Sequence, residues 1–294
     1  MKGAILLNWL EYMLLICQDL QSFYRLIRSC EIAMETVRIV VPLYKTFLDE
    51  FERISLSRSL DILKSHPFSI ICPVNLDLTS VEPMFDGLDY DVRRFDPEFF
   101  KGVQGYNRLM LSSVFYTAFA DCKYILICQT DVFVFSDQLL FWCEKDYDYI
   151  GAPWIASSQN WVKRFFYSIE NFFVRKEKSV HHFFKVGNGG FSLRNVEVML
   201  GIVSELKNDI LYFSEHRDER KYHQEDVFIS VYAPSKIPNI KIPDYKEAVA
   251  FAMDRKPQLA YKLNNYELPF ACHGFNKSKV SKFWLPVIGS VTGK

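Results

Sequence analysis

Four short segments of this 294-residue sequence carry residue types that catalyse reactions or hold ligands. An isolated carboxylate, Asp131, follows the apolar run Tyr124–Cys128, and two adjacent acids stand before a second apolar run. A glycine-rich turn lies between them, and a single histidine stands near the C-terminal end. The four segments are Gln129-Thr130-Asp131, Gly187-Asn188-Gly189-Gly190, Glu225-Asp226 and His273.

Asp131 is the first candidate because of its position. The run before it has the composition of a strand buried on both faces of a parallel sheet. A charge at the end of such a strand is costly unless it is paired or bound to a metal, and ligands of open α/β sheets bind beyond the carboxyl ends of the strands. The alternative is a helix N-cap or a salt-bridged core acid, and the segments downstream favour a functional site.

Each of the other segments has both a functional and a structural interpretation. Glycines in the turn 187–190 let a ligand approach backbone N–H groups closely, although such turns are common. Glu225 and Asp226 either take part in chemistry or stabilise a helix N-terminus through its dipole. His273 stands in a tail without clear periodicity, where a lone histidine is either a ligand or a structural residue.

Strands alternate with helices in the pattern around these segments. We predict strands at 37–43, 68–72, 90–95, 124–128 and 147–152, helices at 49–64, 106–119, 136–145, 159–174, 197–206 and 211–221, and a loop-like tail from Ala271. This order is typical of βαβ units, so we expect an α/β fold with a mostly parallel central sheet and helices on both faces. Because no glycine- or serine-rich linker divides the chain, we expect one domain at 37–294 after a helical extension at 1–36.

Composition narrows the class of protein. Apolar residues make up 49% of the chain and aromatic residues 16%, enough for a sizeable core. The 35 basic and 35 acidic side chains leave no net charge, whereas a nucleic-acid-binding domain is usually basic. Seven cysteines without a C-x-x-C pair argue against a zinc knuckle or a redox dithiol. They predict buried free thiols and a cytoplasmic location.

The N-terminal segment is apolar but interrupted. Asn8 and Glu11 divide the run Gly3–Cys17, which is too short and too polar to predict a membrane-spanning helix. It also lacks a signal-peptide cleavage site. We interpret it as an amphipathic helix that either packs on the domain or a partner, or lies in the interface at the inner face of the membrane.

The four segments, in this order and spacing, resemble the core of the GT-A glycosyltransferases. They are similar above all to a bacterial family of glycosyltransferase-like domains whose members are mostly uncharacterised. The resemblance runs from about Val37 to Lys277. It also includes the stretches Glu52-Arg53-Ile54-Ser55-Leu56, Tyr106-Asn107-Arg108-Leu109-Met110, Trp142-Cys143 and Asp148-Tyr149-Ile150-Gly151-Ala152-Pro153-Trp154.

The resemblance implies a metal site. GT-A enzymes carry an acid-x-acid motif that holds a divalent cation on the donor diphosphate; here Gln129 replaces the first acid and only Asp131 matches. His273 corresponds to the C-terminal histidine that completes the metal shell in many of these enzymes. Mg²⁺ and Mn²⁺ can take most of their ligands from phosphates and water, and imidazole favours Mn²⁺. The replacement at Gln129 leaves strict metal dependence open.

The resemblance also implies roles for the remaining residues. Asp226 is expected to be the general base, with Glu225 as the alternative. The loop Gly187-Asn188-Gly189-Gly190 is expected to border the donor sugar and the acceptor. The nucleotide and diphosphate are expected to contact Pro42, Tyr44, Arg108, Gln129 and Thr130.

Together these features predict a transferase of the GT-A type. It would move a sugar from a nucleotide-diphosphate sugar to a hydroxyl of a glycan or glycolipid acceptor, in the synthesis of a bacterial surface polysaccharide. One alternative is a degenerate GT-A domain that binds a nucleotide sugar or a partner without turnover, as Gln129 suggests. Another is a nucleotidyltransferase, although Val41–Lys45 lacks the glycines of a phosphate loop.

Overall fold

The computed structural model describes residues 35–156, 165, 182–217 and 221–293. Its strands are β1 (Glu35–Pro42), β2 (Phe68–Pro73), β3 (Tyr90–Phe95), β4 (Cys122–Cys128), β5 (Val132–Val134), β6 (Tyr149–Gly151), β7 (Phe191–Asn195), β8 (Ala252–Met253) and β9 (Ala271–His273). Its α-helices are α1 (Glu50–Ile62), α2 (Gly102–Met110), α3 (Ser113–Thr117), α4 (Leu139–Glu144), α5 (Val196–Glu205), α6 (Lys207–Glu215), α7 (Glu225–Val227), α8 (Tyr245–Phe251), α9 (Pro257–Leu263) and α10 (Ser281–Thr292). Short 3₁₀ and π turns lie between several of them.

The central sheet has six strands in the order β3-β2-β1-β4-β7-β6. The pairs β1–β2 and β2–β3 are parallel, and β7 runs antiparallel to both of its neighbours. The last five residues of β4, Tyr124–Cys128, are buried, as expected for an interior strand that is apolar on both faces. The prediction of an α/β fold with a mostly parallel sheet is thus confirmed.

Helix α1 supports the segment that follows β4. It begins with a capping box, in which the Asp49 carboxylate accepts from Glu52 N at 2.9 Å and the Glu52 carboxylate accepts from Asp49 N at 2.8 Å. On its buried face, Ser55 donates to the carbonyl of Thr130, and Arg58 donates to Val134 O at 3.2 Å. Hydrogen bonds from one helix therefore hold the chain on both sides of Asp131.

A second, small sheet brings distant residues to Asp131. Its order is β5-β9-β8, with β5 antiparallel and β8 parallel to β9. The register pairs Val132 with His273 and Met253 with Cys272. Asp131, one residue before β5, and Asp254, one residue after β8, consequently lie beside His273 at the end of β9.

The prediction of a loop-like tail is wrong. The tail contains β9 and the twelve-residue helix α10, although Pro286 lies inside that helix. A proline in a helix interior removes one hydrogen bond and crowds the preceding turn. Burial of Trp284 and Ile288 against the small sheet offsets this cost.

Two helix boundaries also differ from the prediction. The helix expected at 106–119 is broken, because α2 ends at Met110 and Ser112 caps a new helix by accepting from Phe115 N at 3.2 Å. The helix expected at 211–221 begins earlier, at Lys207, and ends at Glu215. Propensity and periodicity alone did not locate these boundaries: a side-chain cap at Ser112 decides the first, whereas the start of α6 has no side-chain cap.

Two predicted helices fall mostly outside the described residues: residues 1–34 of the extension predicted at 1–36, whose last two residues belong to β1, and all but residue 165 of the helix predicted at 159–174. From residue 36 onward, the described chain forms one compact unit. In it, the five described cysteines are buried, as expected. Among these same residues, no helix combines the length and the hydropathy needed to cross a membrane.

Candidate functional site

A cavity of about 1690 Å³ opens beyond the end of β4. This volume exceeds the several hundred Å³ usual for one small ligand, so a donor and an acceptor could bind together. Eleven residues predicted from the sequence line it, and they come from every segment singled out above. They are Pro42, Tyr44, Gln129, Thr130, Asp131, Asn188, Gly189, Gly190, Glu225, Asp226 and His273.

Asp131 and His273 are in direct contact in this cavity. His273 Nε2 lies 3.1 Å from Asp131 Oδ1, and the other ring nitrogen, Nδ1, lies 3.7 Å from Asp254 Oδ1. Lys277 Nζ lies 3.4 Å from Asp131 Oδ2. The register of the small sheet thus brings together residues more than 100 positions apart, at the place where the sequence predicted a shared site.

The charges of this cluster stabilise one another. Burial alone would raise the pKa of Asp131, but the hydrogen bond and charge of His273, together with Lys277, lower that pKa to about 2. Burial would likewise lower the pKa of His273, but the hydrogen bonds and charges of Asp131 and Asp254 raise it to about 9. Without a metal, the proton on Nε2 is therefore retained at neutral pH.

The side-chain oxygen and nitrogen atoms of Asp131, His273 and Gln129 suit a divalent cation that takes its further ligands from substrate. A carboxylate oxygen and an imidazole nitrogen, here Asp131 Oδ1 and His273 Nε2, are ligand types that Mn²⁺ and Mg²⁺ can combine with phosphates and water. A Cβ built on Gly190 would overlap His273 Nε2 and also meet Gln129 Oε1 at 2.7 Å, so these two atoms face the same point. The Asp254 carboxylate lies 3.7 Å from the opposite ring nitrogen, on the side where outer-shell carboxylates of metal-bound histidines stand. In the described residues, however, no three His, Cys, Asp or Glu side chains form a metal-holding group by themselves.

Asn188 links the histidine to the acid pair. Its backbone N–H donates to Asp226 Oδ2 at 3.1 Å, and its amide Nδ2 lies 3.0 Å from His273 Nδ1. The residue is buried and adopts a left-handed φ of 62°, which asparagine tolerates better than most residues. Its Oδ1 accepts from Gly190 N at 3.1 Å, which holds the turn in place.

The glycines of this turn are required by close approach rather than by backbone conformation. Of the glycines at 187, 189 and 190, none has a positive φ. A Cβ on Gly189 would overlap Oε1 of Glu225, and a Cβ on Gly190 would overlap the His273 ring. The absent side chains therefore create room for the acid pair and the histidine.

Asp226 is the acid whose electrostatics suit proton transfer. Burial, followed by the negative charge of Glu225, raises its pKa to about 7. Hydrogen bonds from Val227 N at 2.8 Å and from Asn188 N oppose the rise but do not cancel it. A carboxylate with a pKa near 7 both accepts and releases a proton readily at neutral pH.

Glu225 is engaged in a buried ion pair. Its Oε1 lies 3.1 Å from Arg194 Nη2, and the Arg194 side chain is completely buried. Arg194 also donates to Ser192 Oγ and to Tyr116 Oη, each at 3.0 Å. Breaking one partner of such a pair typically costs 3–5 kcal/mol. Glu225 therefore has a structural partner, whereas Asp226 receives hydrogen bonds only from backbone N–H groups in the described residues.

The structure does not bring two predicted residues to the cavity wall. Arg108 is exposed on a smaller pocket of about 250 Å³, where its Nη2 donates to Glu98 O at 3.1 Å. Gly187 is buried behind the wall, against the ring of Trp154. The roles expected for both stay predictions.

Sequence reasoning missed several residues of the site. Arg194 is a charge inside the apolar strand β7, the same signal that singled out Asp131, and could have been found in that way. Asp254 and Lys277 gave no such signal, since both follow elements too short to recognise. Trp154, which lines the cavity, belonged to the resemblance but received no role.

Comparison with known proteins gives a family but no activity. The model of a family described as proteins of unknown function (DUF5672) matches residues 89–273, more than half of the chain. No curated protein matches the sequence. Among solved structures, a glycosyltransferase involved in the glycosylation of the major capsid of PBCV-1 is similar at 12% identity and a TM-score of 0.43. That match covers 81% of this chain and 93% of the other, and it is too distant to carry a functional assignment.

Proposed function

We propose that this chain, which belongs to the family of proteins of unknown function (DUF5672), is a glycosyltransferase of the GT-A type. Its donor would be a nucleotide-diphosphate sugar and its acceptor a hydroxyl of a glycan or glycolipid. The observation that carries the proposal is the convergence in one cavity of the Asp131–His273 pair, the glycine turn and Asp226. A bacterial surface polysaccharide and the cytoplasmic side of a membrane remain the expected setting.

Asp226 would act as the general base. With a pKa of about 7, it is substantially ionised at neutral pH and can take the proton of an attacking hydroxyl. The two backbone N–H groups that bind its carboxylate hold it in position without donating a competing charge. Glu225 would maintain this geometry through its pair with Arg194 and, by its charge, keep the pKa of Asp226 high.

Asp131, His273 and the amide oxygen of Gln129 would hold a divalent Mn²⁺ or Mg²⁺ ion. When bound, the ion would supply Lewis-acid stabilisation of the leaving diphosphate. Asp131 is ionised at neutral pH, whereas Nε2 of His273 carries a proton that would leave when the ion binds; Asp254 lies 3.7 Å from the other ring nitrogen. Lys277, 3.4 Å from Asp131, adds a positive charge on the same side.

The end of β1 supplies the expected nucleotide site. Pro42 ends that strand, and both Pro42 and Tyr44 line the cavity. The Tyr44 side chain is 58% exposed, so its ring is free to contact a base. The capping box at the start of α1 holds the adjoining cavity wall through Asp49 and Glu52, both of which line it.

A thermal-shift screen of nucleoside diphosphates and their sugars, with and without Mn²⁺, tests donor binding. A ligand that binds the folded state alone raises the melting temperature. We expect one nucleotide class to do so, more strongly with Mn²⁺, and its sugar to be slowly hydrolysed with water as acceptor. The absence of any nucleotide response would contradict the proposal.

A second candidate is a nucleotide-sugar-binding module without turnover. Two observations favour this candidate. Gln129 stands where the first acid of the metal-binding motif is expected, and Glu225, one of the two adjacent acids, is paired with Arg194. The hydrolysis assay separates the two functions. Binding without hydrolysis or transfer, across donors and divalent cations, would favour the module.

A further inference from the structure

Trp154 is a half-buried aromatic residue at the wall of the cavity. Its backbone N–H donates to Lys185 O at 2.9 Å, and its carbonyl accepts from Phe184 N at 2.8 Å. An antiparallel bridge between Pro153 and Val186 adds to this pairing. The backbone is therefore fixed on both sides of the ring, and a large movement of Trp154 would break these hydrogen bonds.

The indole ring of Trp154 packs directly on Gly187. A Cβ at position 187 would overlap the benzo ring of the indole, so only glycine permits this contact. The ring also touches the imidazole of His182, with 5.6 Å between ring centroids. The ring thus contacts the turn at its benzo end, and the residue borders the cavity.

A chain of contacts joins this ring to the proposed base. Gly187, which packs on the ring, is followed by Asn188, whose N–H donates to Asp226 Oδ2 at 3.1 Å, while the side chain of Asn188 reaches His273. Trp154 and Asp226 both line the cavity, so an acceptor that presents a hydroxyl to the base binds in the space that Trp154 also borders.

We propose that Trp154 is the platform on which the pyranose ring of the acceptor stacks. The face of an aromatic ring carries negative potential and a large apolar area, which complements the weakly positive C–H face of a sugar ring. Stacking leaves the hydroxyls at the ring edge free to reach Asp226. This inference rests on the proposed function, and it specifies a cyclic sugar, not a linear polyol or a protein hydroxyl, as the acceptor class.

Tryptophan fluorescence of the full chain, saturated with nucleotide, gives a test without turnover. The probes are methyl glucosides, galactosides and mannosides of both anomeric forms, with glucitol as an open-chain control. We expect at least one methyl pyranoside to change the emission, glucitol to have no effect, and Trp154→Phe to abolish the change. Three results would contradict the stacking role of Trp154. They are an equal response to glucitol, a response that survives in Trp154→Phe, and no response to any pyranoside.

Kinetics separate acceptor binding from donor chemistry. Because Trp154→Ala removes the stacked ring and its apolar contact, we expect the acceptor KM to rise about tenfold in this variant. Trp154→Phe should stay within about threefold of the wild type, and in both variants hydrolysis of the donor by water should fall by a smaller factor than transfer to the acceptor. Phe141→Ala, which removes an exposed ring outside the cavity wall, is the matched control.

Gly187→Ala provides an independent variant that keeps the indole. Its methyl group must displace the ring, so we expect the acceptor KM to rise while donor hydrolysis persists. An unchanged acceptor KM in folded Trp154→Ala, or an equal loss of donor hydrolysis, would contradict the inference. Failure of the wild type to bind or hydrolyse any nucleotide sugar would instead contradict the proposed function.

Discussion

The pH dependence of turnover, with and without Asp226, tests the proposed base most directly. A pKa of about 7 means that roughly a tenth of the molecules carry an ionised Asp226 at pH 6 and roughly nine tenths at pH 8. If only the ionised form accepts the proton, kcat/KM should rise about tenfold between these values. Because kcat/KM reports the free enzyme, the midpoint should lie near 7 before substrate binds.

Asp226→Asn removes the proton acceptor but keeps the shape of the side chain. We expect kcat to fall by roughly 10²- to 10⁴-fold, and the residual rate to lose its rise between pH 6 and 8. Donor binding should persist, because a base contributes more to the transition state than to the ground state. The assay is nucleotide release at saturating donor, followed from pH 5 to 9 on both proteins.

Stability gives an independent measurement of the same group. The folded protein raises the pKa of Asp226 above its ordinary value of 3.8, so between about pH 4 and 7 the folded state binds more protons than the unfolded state. Stability contributed by the protonated form is therefore lost as the pH rises through 7. Asp226→Asn should melt at a higher temperature than the wild type at pH 8, and the difference should shrink below pH 7. A wild-type rate that is flat from pH 6 to 8, or full activity in the asparagine variant, would refute the assignment.

Three further predictions concern the supports of the site. Asp131→Asn should abolish the Mn²⁺-dependent part of nucleotide stabilisation, and it should also lower the melting temperature of the free protein because the His273 ring loses its charged partner; a retained Mn²⁺ effect would remove Asp131 from the metal site. Gly189→Ala should destabilise the protein, because its methyl group overlaps the Glu225 carboxylate, whereas Gly201→Ala, in open space on α5, should stabilise it by about 0.5–1 kcal/mol; equal melting temperatures of the two variants would contradict this. Arg194→Met should cost about 3–5 kcal/mol of unfolding free energy by leaving a buried charge unpaired, and adding Glu225→Met should recover much of that loss in denaturant unfolding; a double variant less stable than the single one would show that the ion pair itself stabilises the fold.

The local sequence pattern was sufficient to predict the bounds of three elements between residues 50 and 95. The strands at 68–73 and 90–95 and the helix at 50–62 lie within two residues of their predicted bounds. In this region the apolar period and the caps coincide with the structure, as the capping box of Asp49 and Glu52 illustrates. Asp131 was identified in the same way, because a charge at the end of a buried strand is costly unless it has a partner.

The partners of these residues were decided by tertiary structure. The tail from Ala271 lacks periodicity because β9 has only three residues and a proline lies inside α10, yet the pairing of β9 with β5 and β8 brings His273 between Asp131 and Asp254. No local rule specifies such a register, since it depends on packing between segments more than 100 residues apart.

The division of roles between Glu225 and Asp226 shows the same limit. Adjacent acids are equivalent in composition, and the resemblance favoured Asp226 as the base while keeping Glu225 as the alternative. The fold pairs Glu225 with the buried Arg194 and leaves Asp226 at the cavity wall. Composition, the α/β class and the candidate residues could therefore be read from the sequence, whereas burial and charge, which set the pKa of Asp226, exist only after the chain has folded.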